Sequence, residues 1–115
     1  MTFTVTRDAW KHLEEIVREA RAKTFRLEVL DYGLPVTVPG IGFCYGAERK
    51  HPTANDKILR RSRVTLAVSK GDYERLRGYV FHYNQRYGGY EIVTREKYEQ
   101  DQRPPEQHRL NGFVP

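Results

Sequence analysis

The chain reads as an α+β domain: a mixed, mostly antiparallel sheet with one long amphipathic helix packed on it and one short helix. Two patterns predict this. Apolar residues recur at helical spacing over residues 7–22, and at a period of two in several short segments around that stretch. The 115 residues, 38% hydrophobic and 30% charged, suit one modest core and neither a membrane protein nor a wholly disordered chain.

Phe3 and Val5 alternate with threonines in a brief opening strand. Thr6 stands as an N-cap, with Asp8 in the first turn where a carboxylate complements the helix dipole. Trp10, Leu13, Ile16, Val17 and Ala20 then form an apolar stripe that must cover a sheet. Phe25, Leu27 and Val29 alternate with Arg26 and Glu28 as a half-exposed strand. The two prolines of Gly33-Leu34-Pro35-Val36-Thr37-Val38-Pro39-Gly40 remove ladder donors, so this is an ordered loop. Ile41, Phe43, Tyr45 and Ala47 resume the strand period, which the turn formers of residues 50–56 end.

Ile58 and Leu59 suggest a short strand, and Val64, Leu66 and Val68 another. Ser69 caps the short helix with Asp72 three positions on, and Gly78 ends it. Tyr79, Phe81 and Tyr83, then Tyr90 and Ile92 beyond the Gly88-Gly89 turn, predict two antiparallel neighbours. From residue 95 the composition turns polar, so residues 1–94 form the domain and residues 95–115 a polar, partly disordered tail.

This order of elements resembles the HesB/IscA family, the A-type carriers of iron–sulfur cluster assembly, over roughly residues 3–94. Phe3-Thr4-Val5-Thr6-Arg7-Asp8-Ala9 is similar to the segment that opens that family's main helix. Pro39-Gly40-Ile41-Gly42-Phe43-Cys44-Tyr45 resembles its central Gly-Cys-Ser-Gly-Phe-x-Tyr motif, and Asp56 its acidic residue before the next strand. Asp72-Tyr73-Glu74-Arg75-Leu76-Arg77-Gly78 resembles its Ser-x-x-x-Leu-x-Gly stretch, while Phe81-His82-Tyr83 and Gly88-Gly89-Tyr90-Glu91-Ile92 resemble its closing strands. Gly40 stands where the family carries its first cluster cysteine, and the paired C-terminal cysteines have no counterpart. Soft thiolates make iron and cluster binding strong, so the resemblance implies the fold without the carrier chemistry and with no cofactor.

A single cysteine, Cys44, rules out an internal disulfide and any zinc site built from several thiolates. It reads first as a small buried hydrophobe; Cys44 and His82 are the weak metal candidates, and His51 forms no close-spaced pair with Cys44. Gly-x-Ser-x-Gly, phosphate-loop and His-Glu-x-x-His motifs are all missing, which argues against an enzyme. The net charge of +5 points toward anionic partners or toward a solvated, ion-paired surface of thermophile-like composition. Arg60, Arg61 and Arg63 are the best phosphate contacts for a nucleic acid. Of the eight tyrosines, alternation assigns Tyr45, Tyr73, Tyr79 and Tyr83 to the core and leaves Tyr32, Tyr87, Tyr90 and Tyr98 to stack on bases.

Leu34, Pro35, Val36 and Val38 put apolar groups in a surface loop, the mark of a protein contact. The function expected is therefore that of a cytoplasmic protein-binding module that engages a protein partner through this loop and the C-terminal tail from Pro104, or a second copy through this loop or a sheet edge. Nucleic-acid binding through the arginines comes second, and residual iron or cluster binding through Cys44 third.

Overall fold

A computed structural model describes residues 2–30, 40–61, 63–86 and 88–102. The expected contact loop with Leu34, Pro35, Val36 and Val38 lies outside them, as do Tyr32, Tyr87 and the tail from residue 103. The elements in order are β1 (Thr4–Val5), α1 (Arg7–Glu19), β2 (Thr24–Val29), β3 (Phe43–Glu48), β4 (Asp56–Arg61), β5 (Val64–Ser69), α2 (Lys70–Arg75), β6 (Tyr79–Asn84), β7 (Gly89–Thr94) and α3 (Arg95–Asp101).

The strands form two sheets rather than the single one expected. One has the order β1-β6-β7 and the other β3-β2-β5-β4. β1–β6 and β2–β5 run parallel, and every other pair is antiparallel, including the expected β6–β7 hairpin. Between the sheets the chain makes a single bridge, Gly40 to Val93, with Ile41 N–H donating to the Ile92 carbonyl at 2.9 Å. One bridge cannot fuse two ladders, so the expected strand at Ile41 begins instead at Phe43.

α1 starts as the sequence predicts, with the Thr6 hydroxyl accepting from Ala9 N–H at 3.2 Å. It ends at Glu19, short of residue 22, because Arg21 turns to φ 51° and Ala22 N–H closes on the Val17 carbonyl. That is a left-handed helix terminus built without the usual glycine. Ala9, Leu13 and Val17 are buried in one core with Phe25 and Leu27 of β2, Val64, Leu66 and Val68 of β5, and Phe81 and Ile92 of the other sheet. The apolar stripe thus covers both sheets at once. The short helix also follows expectation: Ser69 Oγ caps Asp72 N–H, and Gly78 takes φ 82° just beyond.

The segment expected to open an extended tail folds instead. Thr94 Oγ1 accepts from Lys97 N–H and starts α3, which packs on β6 and β7. Tyr98 lies edge-on to His82, with ring centroids 5.1 Å apart. β6 is consequently buried on both faces: Val80, Phe81 and His82 are all covered, although period-two alternation leaves Val80 and His82 outside. Among the described residues no helix is long and apolar enough to cross a membrane.

On the sheet face opposite α1, Arg26 of β2 reaches over both neighbours. Its Nε donates to Glu48 Oε2 of β3 at 2.9 Å, and its Nη1 and Nη2 donate to the Asp56 carboxylate of β4 at 2.9 and 2.8 Å. Ala67, paired with Arg26 on the intervening β5, is small enough to lie beneath the guanidinium. Asp56 is nearly buried, and its Oδ2 also accepts from Thr53 N–H. The Arg26 hydrogen bonds hold its carboxyl far below the usual carboxylate range. A carboxyl depressed on folding stabilises the protein above its unfolded pKa, near 4, and that contribution fades as pH falls further. Asp56→Asn should therefore cost about 3 kcal/mol in urea unfolding at pH 7, and the deficit should shrink below about pH 4. A pH-independent deficit would mean that the clamp contributes no electrostatic stability.

Candidate functional site

The position that the resemblance assigns to a cluster ligand is crowded by backbone. A Cβ added at Gly40 would lie 3.1 Å from the Ile92 carbonyl oxygen, because the Gly40–Val93 bridge brings the chain onto β7. Any side chain there presses on the bridge that joins the two sheets. Cys44 sits in β3, cross-strand from Glu28, and is exposed rather than the buried hydrophobe expected. The reason is topological: β3 is an edge strand, and Cys44 faces away from α1. Its Sγ lies 3.6 Å from Glu28 Oε2. Desolvation, with the Glu28 hydrogen bond and charge, pushes the thiol above its ordinary pKa.

His82 belongs to the other sheet. Burial lowers its pKa, opposed by the charges of Glu91 and Asp101. Its Nε2 lies 3.3 Å from Glu91 Oε1 without a hydrogen bond, while Asn84 Nδ2 donates to that same oxygen at 2.8 Å. Cys44 and His82 thus stand on different sheets, and His51 lies at the surface against Lys23 Nζ at 3.4 Å. Among the described residues no three His, Cys, Asp or Glu side chains converge as a metal site would need. The donor set does not fit an iron–sulfur cluster, which takes several thiolates.

Alternation does not settle the exposure of the tyrosines, and it misplaces Tyr90, which shares the inner face with Tyr83 and Phe81. Tyr45 pairs with Leu27 on the inner face, yet it is 48% exposed on this edge strand. It stacks on Phe25 at 5.5 Å and meets Tyr90 edge-on at 5.1 Å. Tyr90 is no free stacking platform: it lies on Phe81 at 5.2 Å and against Tyr83, and burial raises its phenol pKa beyond the ordinary range. Tyr98 is likewise committed to His82. A contact invisible in the sequence is His12 of α1 stacked on Tyr83 of β6, with centroids 3.6 Å apart. Only helix-on-sheet packing brings these two rings together.

Arg60, Arg61 and Arg63 do not act as one cluster. Arg60 pairs with Thr65 on the Arg26 face, while Arg61 pairs with Val64 on the α1 face and lines a depression with Trp10 and Lys11. Arg63 lines a second depression beside Arg18. For the thiol, the geometry predicts slow alkylation despite exposure. Iodoacetamide at pH 8 should modify Glu28→Gln several-fold faster than the parent chain, because the substitution removes the carboxylate that opposes thiolate formation. Equal rates would remove Glu28 as the cause.

No protein-family model matches the chain, and no curated protein matches it. Solved structures do. Escherichia coli SufA, described as involved in biosynthesis of iron–sulfur clusters, superposes with a TM-score of 0.62 at 17% identity, over 81% of this chain and 80% of SufA. IscA with the [2Fe–2S] cluster gives 0.56 at 20% identity, over 81% and 85% of the two chains. A protein from Aquifex aeolicus whose structure was solved in solution by NMR gives 0.56 at 17% identity, over 82% and 92%. At such identities the likeness concerns architecture, and on that ground the chain has a HesB/IscA-like fold.

Proposed function

We propose that this domain is a non-enzymatic binding module that has lost iron–sulfur ligation and takes up an extended protein segment along the free edge of β3. The observation that carries the reading is the contrast between the two edges of the larger sheet. β4 presents Lys57, Arg60 and Arg61 along its length, charges that discourage another strand from pairing. β3 presents Phe43, Cys44, Tyr45, Gly46 and Ala47 without a charge before Glu48, whose carboxylate is paired with Arg26, and the half-exposed Tyr45 ring stands among them. Among the described residues nothing pairs with its outer side. Such an edge is a template for strand addition, in which backbone groups give affinity and a side-chain pocket gives selectivity.

Loss of ligation is supported by the backbone-crowded position at Gly40 and by a lone thiol whose neighbour is a carboxylate. An iron–sulfur cluster would be cargo for such a fold, and one thiolate is too few to hold it. Protein purified without chelator and incubated anaerobically with ferrous iron, sulfide and thiol should retain iron well below one equivalent and show no visible charge-transfer band. A coloured protein with stoichiometric iron overturns that half of the proposal.

The edge itself is tested with displayed random peptides selected on the immobilised domain. Enriched peptides should protect the amides of residues 43–48 from hydrogen exchange, and Cys44→Lys should weaken them by about tenfold or more at an unchanged unfolding midpoint. Failure to enrich, protection elsewhere, or equal binding to the lysine variant would each overturn the assignment.

A further inference from the structure

We propose that a cationic stripe between α1 and the β4–β5 turn binds single-stranded nucleic acid, with Trp10 as a base-stacking platform. At its start Arg7, Lys11 and Arg61 surround Trp10 in a depression of about 150 Å³. A larger one of about 440 Å³ adjoins it at Glu14 and carries Arg18, Arg21, Lys23 and Arg63 over a floor of Val17, Ala22 and Val64. All seven cations are exposed, and Glu14 is the one acid lining either depression.

An ion-paired surface is the competing explanation of so many arginines, and the pairing pattern argues against it here. The described ion pairs use Arg26, Arg77, Arg95 and Lys97. None of the seven stripe cations has an ion-pair partner within 4 Å among the described residues; Lys23 Nζ lies 3.4 Å from His51 Nε2 instead. Lys11 and Arg18 border Asp8, Glu14 and Glu15 on the next face of α1 without ion-pairing to them, and the cations run along one side of the helix, a length of about 20 Å that suits several nucleotides of an extended strand. The half-buried indole inside the stripe favours a nucleic acid over an acidic peptide, since a base presents a flat π-face to it and a carboxylate does not. A single strand is favoured over a duplex because its bases are free to leave the stack.

Arg21 adds an independent observation. It holds φ 51° at the end of α1, a left-handed conformation in which glycine is the relaxed choice. Arginine there strains the helix terminus and sets a guanidinium at the rim of the larger depression. Both depressions lie away from the β3 edge, so this inference and the strand-addition reading stand or fall separately.

The test is titration of the full chain with a dye-labelled single-stranded oligonucleotide of about 15 nucleotides, read by anisotropy and by fluorescence of Trp10, the chain's one tryptophan. Binding should quench the tryptophan and weaken by about 50- to 1,000-fold between 50 and 200 mM salt. Arg61→Ala with Arg63→Ala should lower affinity about tenfold or more and flatten the log–log salt slope by about 1.4. Arg77→Ala, paired with Glu74 outside the stripe, should change nothing. Arg21→Gly should raise the unfolding midpoint while weakening binding, a combination that misfolding cannot produce. The proposal is overturned if binding is salt-insensitive, if Trp10 is not quenched, or if the Arg61/Arg63 and Arg21 variants bind as the parent does. It is equally overturned if poly-glutamate or phosphatidylserine vesicles compete as well as unlabelled oligonucleotide at equal charge.

Discussion

The larger sheet depends on one side chain placed across it. Arg26 sits on an inner strand and ties β3 through Glu48 to β4 through Asp56, spanning the sheet over Ala67. Its partners also satisfy its geometry: the guanidinium fork meets the Asp56 carboxylate with two parallel hydrogen bonds, the strongest form of such a pair. Because the contact is charge-assisted and largely shielded from water, it fixes the order of four strands on a face that no helix covers. On the opposite face Phe25, Leu27, Leu66 and Val68 join Leu13 and Val17 of α1 in the core.

The second constraint is the passage from one sheet to the other. The chain crosses at Gly40 and Ile41, where backbone meets backbone against β7 and leaves little room for a Cβ. Glycine at this point is a packing requirement of the crossing. A position that would need a projecting thiolate to hold metal is given over here to joining sheets, and Cys44 stands isolated on the far side of an edge strand. The architecture shared with SufA and IscA therefore carries a different set of exposed groups, and architecture does not transmit chemistry.

What the surface offers instead is two regions of opposite character. The β3 edge is uncharged and aromatic from Phe43 to Ala47, while the α1 flank is mainly cationic, with Glu14 as the acid lining its depressions. Glu48 and Asp56 are paired with Arg26, and Asp101 with Lys97, while the α1 acids Asp8, Glu14 and Glu15 border Lys11 and Arg18 without an ion pair among the described residues. Net charge alone conceals that asymmetry.

The sequence by itself determined the local structure: the Thr6 and Ser69 caps, the α1 stripe, the alternation in β2 and β5 and the β6–β7 hairpin follow from side-chain periodicity and backbone chemistry within a few residues. It also ruled out multi-thiolate chemistry, because composition cannot be altered by folding. Only the tertiary structure decided that α3 covers the second face of β6, that Tyr45 and Cys44 are exposed, and that Arg60 parts from Arg61 and Arg63 to join a different face. Alternation tells which face a side chain takes, but not whether another element covers that face. That depends on strand order and on helices distant in sequence, which is where the edge at β3 and the stripe along α1 come from.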